Sequence, residues 1–362
     1  KYDFFLVAFG ASAHYAYIDF LKKSLNVSIF ELLFHSFDHI NFNDLYKHDK
    51  KDILALVIWF SNYNVNELRK YKIFYIVQNI PFIIITRDPI SRLKTMVNHG
   101  IYTLNNKLKF QEDCINIVHR KQFPYLREGI VCYKDIPDIT ATEIFVNHGK
   151  YINYNYSQIA NICKNRVYCF DALDIHPDNV IESIIKFSIF FNKKIDEQVL
   201  IDEENYFKEK KWTDLSMTLP IVITFNKEFE IIVEINHIQQ HYHNITHQLF
   251  NSDEISKELR ICVNNYDYFR KNILNKSSYL NEVKCYLFTL IKEIELVKSN
   301  FTKYKVSEYN VLNYLKENRN LCFTLKNILD KELTYIKQYY PNIVASWKYY
   351  QEFEKMCEEL NQ

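Results

Sequence analysis

Glycine is scarce. The 362 residues hold only four, at positions 10, 100, 129 and 149, where average usage near 7% would give about 25. They stand so far apart that neither the Walker loop nor the G-x-G-x-x-G dinucleotide fingerprint can be written with them. Charge of one sign is also missing: 45 Lys and Arg against 44 Asp and Glu leave +1, so no global basic field marks a general nucleic-acid binder. Any anion site must be local. The eight cysteines (Cys114, Cys132, Cys163, Cys169, Cys262, Cys285, Cys322, Cys357) form no Cys-x-x-Cys pair. That argues against a zinc ribbon and suits free buried thiols in a reducing compartment. No stretch reaches the roughly 18 uninterrupted apolar residues of a membrane-spanning helix. The opening "KYDFFLVAFG" is too short for a signal peptide, and a start on Lys1 rather than Met leads us to expect a piece of a longer protein.

What is present is a large supply of core residues, 48% hydrophobic and 16% aromatic. That suffices for one large core and an appendage. Apolar runs at 3–9 (DFFLVAF), 26–34 (NVSIFELLF), 52–60 (DILALVIWF), 82–86 (FIIIT) and 166–173 (RVYCFDAL) alternate with amphipathic stretches such as YAYIDFLKKS and HPDNVIESIIKFSIFF. Apolar strands alternating with helices predict an α/β domain with a parallel sheet flanked by helices. The sequence turns polar between Asn192 and Trp212. We therefore expect one domain over 1–200 and a second over 201–362, the latter a hairpin (LPIVITFNKEFEIIVEI) followed by a mainly helical region that binds the acceptor or caps the site.

Two segments carry anion chemistry. In "VAFGASAHYAYIDFL" a glycine between strand and helix permits a sharp turn, so the N–H groups of Ala11, Ser12, Ala13 and His14 after Gly10 can form a concave nest at a helix N-terminus. In "FIIITRDPISRLKT" Arg87 falls at the carboxyl end of a buried strand, where open parallel sheets bind ligands. Asp88-Pro89 then opens a helix on which Thr95 is eight residues from Arg87. A guanidinium makes charge-assisted, often bidentate bonds to phosphate, and a hydroxyl adds a weaker one.

Together these segments resemble the sulfotransferases. "RDPISRLKT" is similar to that family's R-D/N-P-x-x-R-x-x-S signature, with Arg87 and Arg92 matching and Thr95 in place of Ser. "GASAH" stands where the family has its 5'-phosphosulfate loop, and "NRVYCFDALDIHPDNVIESIIKFSIFF" resembles the stretch after the nucleotide motifs. The resemblance covers about residues 3 to 195 and implies a P-loop-related, sulfotransferase-like fold that reads a 3'-phosphate through Arg87, Arg92 and Thr95. The family's loop lysine is absent, and His14 is the nearest substitute. The chain also resembles sugar transferases of Campylobacter-type capsule loci, some of which attach O-methyl phosphoramidate from a 3'-phosphorylated cytidine donor.

The resemblance implies in-line transfer of a phosphoramidate group, or of sulfate, to a sugar hydroxyl of a capsular polysaccharide or oligosaccharide, with no metal and no cofactor beyond the nucleotide co-substrate. His14 and Ser12 would stabilise the transferring group. Glu31 is the base by chain order, with His35 and His39 as alternatives. The expected location is cytoplasmic or peripheral at the inner membrane, without nucleic-acid partners. A non-catalytic glycan- or partner-binding module is the competing expectation; a glycosyltransferase is weakened by the lack of an Asp-x-Asp motif. "NHIQQHYHNITHQ" spaces His237, His241, His243 and His247 as zinc ligands can be spaced, yet with no intervening carboxylate or Cys a wet polar face is the plainer reading. Trp347-Lys348-Tyr349-Tyr350 can be a sugar platform, though aromatics at helical spacing belong more often to a core.

Overall fold

The computed structural model describes residues 3–9, 11, 13–25, 28–32, 54–60, 80–148, 156–157, 160, 167–176, 178–192, 214–236, 242–251 and 253–361. The chain divides into two compact units. Lys1–Val97, Ile139–Lys208 and Val306–Gln362 form the first, and Asn98–Asp138 with Glu209–Lys305 form the second.

The first unit is α/β. Its strands Phe4–Phe9, Ser28–Leu32, Leu54–Phe60, Phe82–Thr86 and Val167–Asp171 make one all-parallel sheet. In sequence order the strands lie 2-3-1-4-5 across the sheet. Because side chains alternate along a strand, each face gathers its own core. Phe4, Leu6, Ile83, Ile85 and Phe170 pack with Tyr17, Phe20 and Leu21 of helix His14–Leu25 and with Ile184 and Phe187 of helix Val180–Phe190. Phe5, Val7, Phe82, Ile84 and Cys169 face the other way. They share a core with Leu93 and Val97 of helix Pro89–Val97, with Leu315, Leu325 and Phe353 of the C-terminal helices, and with Trp347, which precedes the last of them. The last helices of the chain are thus one of the two layers that cover the parallel sheet.

A single cut near residue 200 does not reproduce these units, because the chain passes between them after residues 97, 138, 208 and 305. The polar stretch at 192–212 marks only one of those junctions. Nor do the helices after Asp253 form one bundle. Ser277–Tyr304 belongs to the second unit, whereas Glu308–Glu317, Arg319–Glu332 and Lys348–Asn361 belong to the first.

In the second unit, the expected hairpin is present as Ile221–Thr224 paired antiparallel with Glu230–Ile235. These strands extend through Leu259–Val263 on one side and, in parallel, Lys107–Lys109 on the other. Val283, Leu287, Leu290 and Ile294, spaced by three and four, turn one stripe of Ser277–Tyr304 onto the core of this unit. A second hairpin joins Lys121–Arg127 to Ile130–Lys134. Its two turn residues, Glu128 and Gly129, have φ of +53° and +78°, the type I′ geometry that matches strand twist. Gly100, at φ +54°, has no room for a side chain: a Cβ there would lie 2.8 Å from the Gln122 carbonyl oxygen.

Seven cysteines are described, all free. Among the described residues no helix is long and apolar enough to cross a membrane. His237 and His241 lie outside the described residues; His243 sits 5.6 Å, ring to ring, from Tyr266.

Candidate functional site

The site begins with topology. Phe4–Phe9 and Phe82–Thr86 are neighbours in the sheet, but the chain leaving the first returns in Ser28–Leu32 on one side and the chain leaving the second returns in Val167–Asp171 on the other. Adjacent parallel strands whose connections depart in opposite directions open a crevice at their carboxyl ends, the usual ligand position in such sheets. The two sequence segments singled out for anion binding are the loops that follow these two strands.

Their contact is direct. Arg87 Nη1–H donates to the Ala11 carbonyl at 3.0 Å, between residues 76 apart in sequence. Ala11 and Ala13 both adopt left-handed backbone, φ +60° and +66°, a conformation that costs a non-glycine residue on the order of 1–2 kcal/mol. Helix His14–Leu25 starts immediately after them. Backbone of this hand before a helix N-terminus turns N–H groups toward a common point.

Among the described residues no carboxylate comes within ion-pair distance of Arg87, and the Ala11 carbonyl is its only hydrogen-bond partner. Burial pulls its pKa below the ordinary arginine value, with Glu308 acting in the opposite direction. A partly buried guanidinium with donors to spare has the chemistry to receive an anion. Glu308 is itself held on the same helix face, accepting from the Ser91 hydroxyl at 3.1 Å and pairing with Lys94 Nζ at 3.1 Å.

Two acids fix the surroundings. Asp88 is buried, and its Oδ1 accepts from the amides of Ile90 and Ser91 at 2.8 and 3.2 Å, capping helix Pro89–Val97. Its Oδ2 accepts from the amides of Tyr349 and Tyr350 at 2.9 and 3.1 Å, capping Lys348–Asn361 as well. Burial raises its pKa, and the four N–H bonds work against that rise. Asp171, at the end of its strand, accepts from the Leu173 amide at 3.0 Å, the Thr86 hydroxyl at 3.0 Å and the Trp347 indole N–H at 2.7 Å. Desolvation is the main reason its pKa is pushed up to about 6, from 3.8.

A folded-state value above the unfolded one means that the native state binds more protons through that interval. The stability contributed is complete below about pH 4 and is lost as pH rises through about 6. Denaturant titrations from about pH 4 to 7 should show wild type losing stability relative to Asp171→Asn over that window. A pH-independent difference would contradict the burial argument.

The sequence-predicted residues fare differently. Arg87, Ala11 and Ala13 come together. Arg92 is fully buried, with Nη1 donating to the Tyr156 hydroxyl at 3.0 Å. It lies in the core beside Tyr156, close enough to Arg87 to act on it electrostatically. Thr95 is half-buried, and its hydroxyl donates to the Ser91 carbonyl at 2.8 Å. His14 opens its helix, and Glu31 pairs in register with Val57, two strands from the crevice strand Phe4–Phe9; the side chains of both lie outside the described structure. Gly10, Ser12, His35 and His39 are likewise outside the described residues. Trp347 and Tyr350 are buried and form no platform; only Lys348 and Tyr349 of that string reach the surface, with the ammonium 5.5 Å from the exposed Tyr309 ring and 5.1 Å from that of Tyr349.

A family model described as "Protein of unknown function (DUF2972)" matches residues 169–360, more than half of the chain. The chain belongs to that family. The DUF2972 match opens within the last strand of the sheet, two residues before Asp171, and runs through Glu308 and Trp347. It thus takes in the C-terminal half of the crevice surroundings, while Ala11 and Arg87 precede it. No curated protein and no solved structure matches the chain.

Proposed function

We propose that this DUF2972 protein is a transferase that binds a 3'-phosphonucleotide donor in the crevice between the loop at 10–13 and Arg87, and moves the donor's terminal group to a hydroxyl of a surface glycan. The observation that carries this reading is the bond from Arg87 to the Ala11 carbonyl at a strand-order reversal. It joins the two segments that separately resemble the 3'- and 5'-phosphate elements of sulfotransferases. One phosphate meets the guanidinium; the other meets amides of the turn that leads into His14–Leu25.

A phosphoramidate on a cytidine donor is the group proposed, with sulfate on an adenosine donor as the second reading. The loop sequence Gly10-Ala11-Ser12-Ala13 favours the former because it lacks the cation with which sulfotransferases neutralise the departing group. Catalysis would then consist of alignment and charge stabilisation, with a base drawn from Glu31, His14 or His35.

Calorimetric titration of the full chain with cytidine 3',5'-bisphosphate and adenosine 3',5'-bisphosphate tests the proposal. Micromolar binding of the cytidine compound, at least about tenfold tighter than the adenosine one, is expected, a gap of about 1.4 kcal/mol. Reversed preference would select sulfate, and no heat with either would sink the donor site.

A further inference from the structure

We propose that the strand Ile130–Lys134 is a self-association edge, on which a second copy of this chain docks by antiparallel pairing of the same strand. In the second unit it closes one side of the small sheet whose order is Ile101–Tyr102, Lys121–Arg127, Ile130–Lys134. Among the described residues its pairing is with Lys121–Arg127 alone. The inference is independent of the transferase reading.

Stable monomers guard such edges with proline, a bulge, an inward charge or a covering segment. From Ile130 to Tyr133 the run is IVCY, in unbroken register with Lys121–Arg127, and Ile130, Val131 and Tyr133 are 66%, 39% and 49% exposed. The edge is therefore bare and apolar.

The turn dictates which backbone groups are free. A two-residue turn makes the residues that flank it, Arg127 and Ile130, a hydrogen-bonded pair, and such pairs alternate along an antiparallel ladder. Ile130, Cys132 and Lys134 thus engage Arg127, Tyr125 and Phe123, which stand opposite them. Val131 and Tyr133 stand opposite Leu126 and Pro124 and point their N–H and C=O groups outward. Pro124 fits this pattern, since its missing N–H belongs to a position where the ladder needs none.

A two-fold axis at Cys132 uses all of those outward groups. Val131 then faces the partner's Tyr133 as a hydrogen-bonded pair, and Tyr133 faces the partner's Val131 in the same way. Moving the axis to Val131 or to Tyr133 makes a single self-pair and sets the other residue against Gly129 or Asp135, both outside the strand. Side chains agree with the axis at Cys132. Val131 and Tyr133 become β-branched and aromatic cross-strand neighbours. On the other face Ile130 lies beside the stem of the partner's Lys134, an ammonium that pairs within its own chain with Asp138. Glu128 of the turn falls one diagonal step from that same lysine, so opposite charges meet and no like charges are opposed. The contact is small, which predicts reversible association and not an obligate dimer.

The axis also supplies a reporter. Cys132 is free and partly exposed, and it would face the partner's Cys132 as a non-hydrogen-bonded pair with Cα atoms about 4.5 Å apart. A disulfide spans that separation.

Sedimentation velocity on the full chain tests the inference. Monomer should give way to dimer with a Kd on the order of 10–100 μM, as for other small interfaces. Diamide, which takes two electrons and two protons from a pair of thiols, should join Cys132 to the partner's Cys132, read by peptide mass spectrometry. Val131→Pro removes an N–H that the hairpin does not use, so the fold should be kept. It deletes two intermolecular bonds per dimer and should weaken association about tenfold or more. Tyr133→Glu keeps every backbone group but sets a carboxylate in the apolar pair, and should also weaken it. A monomer at every concentration overturns the proposal and leaves the edge to an extended segment of some other protein. A dimer that both variants leave intact, or one crosslinked through the exposed Cys285 and not through Cys132, overturns it too.

Discussion

Replacing Asp88 with alanine should destabilise the first unit by about 3 kcal/mol, from two lost helix caps at roughly 1–2 kcal/mol each. For a body of this size that lowers Tm by roughly 6–12 °C. The size of the effect follows from one carboxylate serving two helix N-termini, with the amides of Ile90 and Ser91 on one oxygen and those of Tyr349 and Tyr350 on the other. Alanine leaves four N–H groups without their acceptor in a buried place. The raised pKa does not contradict this: burial disfavours the charge, but removing the acceptor leaves donors that cost more when orphaned. Asp88→Asn separates the two caps. Its amide has one oxygen, so whichever way it turns, one helix end meets N–H groups with an NH₂. Hydrogen exchange should therefore show either the Ile90 and Ser91 amides or the Tyr349 and Tyr350 amides losing protection, and not both pairs. Equal protection of all four in the alanine variant would show that water or another group caps these ends.

The parallel sheet was legible because most of its strands are apolar runs, as strands covered on both faces tend to be. Phe82–Thr86, buried along its whole length, is the clearest case. Placing Arg87 at a ligand edge needed only the rule that such sheets bind at their carboxyl ends. Less legible was which helix residues share its face. Arg92 follows Ser91 by one position and is turned about 100° from it, which carries it into the core beside Tyr156. Ser91 and Lys94, three apart, stay together on Glu308. That spacing was available in the sequence, but a signature read by its letters draws the eye to Arg92 and Thr95. The turn at Ala11 and Ala13 carried no sign of left-handed backbone, since alanine is a residue that avoids it.

The C-terminal helices were misassigned for a different reason. An amphipathic stripe tells that a helix is covered, not by which segment. The bond from Trp347 to Asp171 spans 176 residues, and those from Tyr349 and Tyr350 to Asp88 span 261 and 262. No local pattern encodes such pairs. They make the region after Val306 part of the sheet's own unit, and they bring Glu308 and the aromatic string to the crevice edge that an acceptor-binding cap was expected to supply.

Arg87→Ala should weaken binding of cytidine 3',5'-bisphosphate by about 100-fold, the loss of roughly 2–3 kcal/mol from a charge-assisted, two-pronged contact. Thr95→Ala should weaken it only about fivefold, the worth of one neutral hydrogen bond; its hydroxyl already bonds the Ser91 carbonyl. Arg87→Lys distinguishes charge from geometry. Lysine keeps the positive charge but cannot form the planar fork, so it should recover only part of the affinity and show a steeper decline with added salt than wild type, because a point charge depends more on screened attraction. Calorimetry of the three variants, with circular dichroism to verify that each is folded, supplies the measurement. The arginine also donates to Ala11, so its loss frees the turn leading into His14–Leu25 as well as one phosphate contact. Adenosine or cytidine 5'-monophosphate, lacking the 3'-phosphate, separates these effects. If Arg87 reads the 3'-phosphate alone, the monophosphates bind wild type and Arg87→Ala equally; if it also fixes the turn, they too bind the variant less tightly. Unchanged affinity for the bisphosphate in Arg87→Ala would remove the guanidinium from the site, and with it the reason for a buried strand to end on a cation.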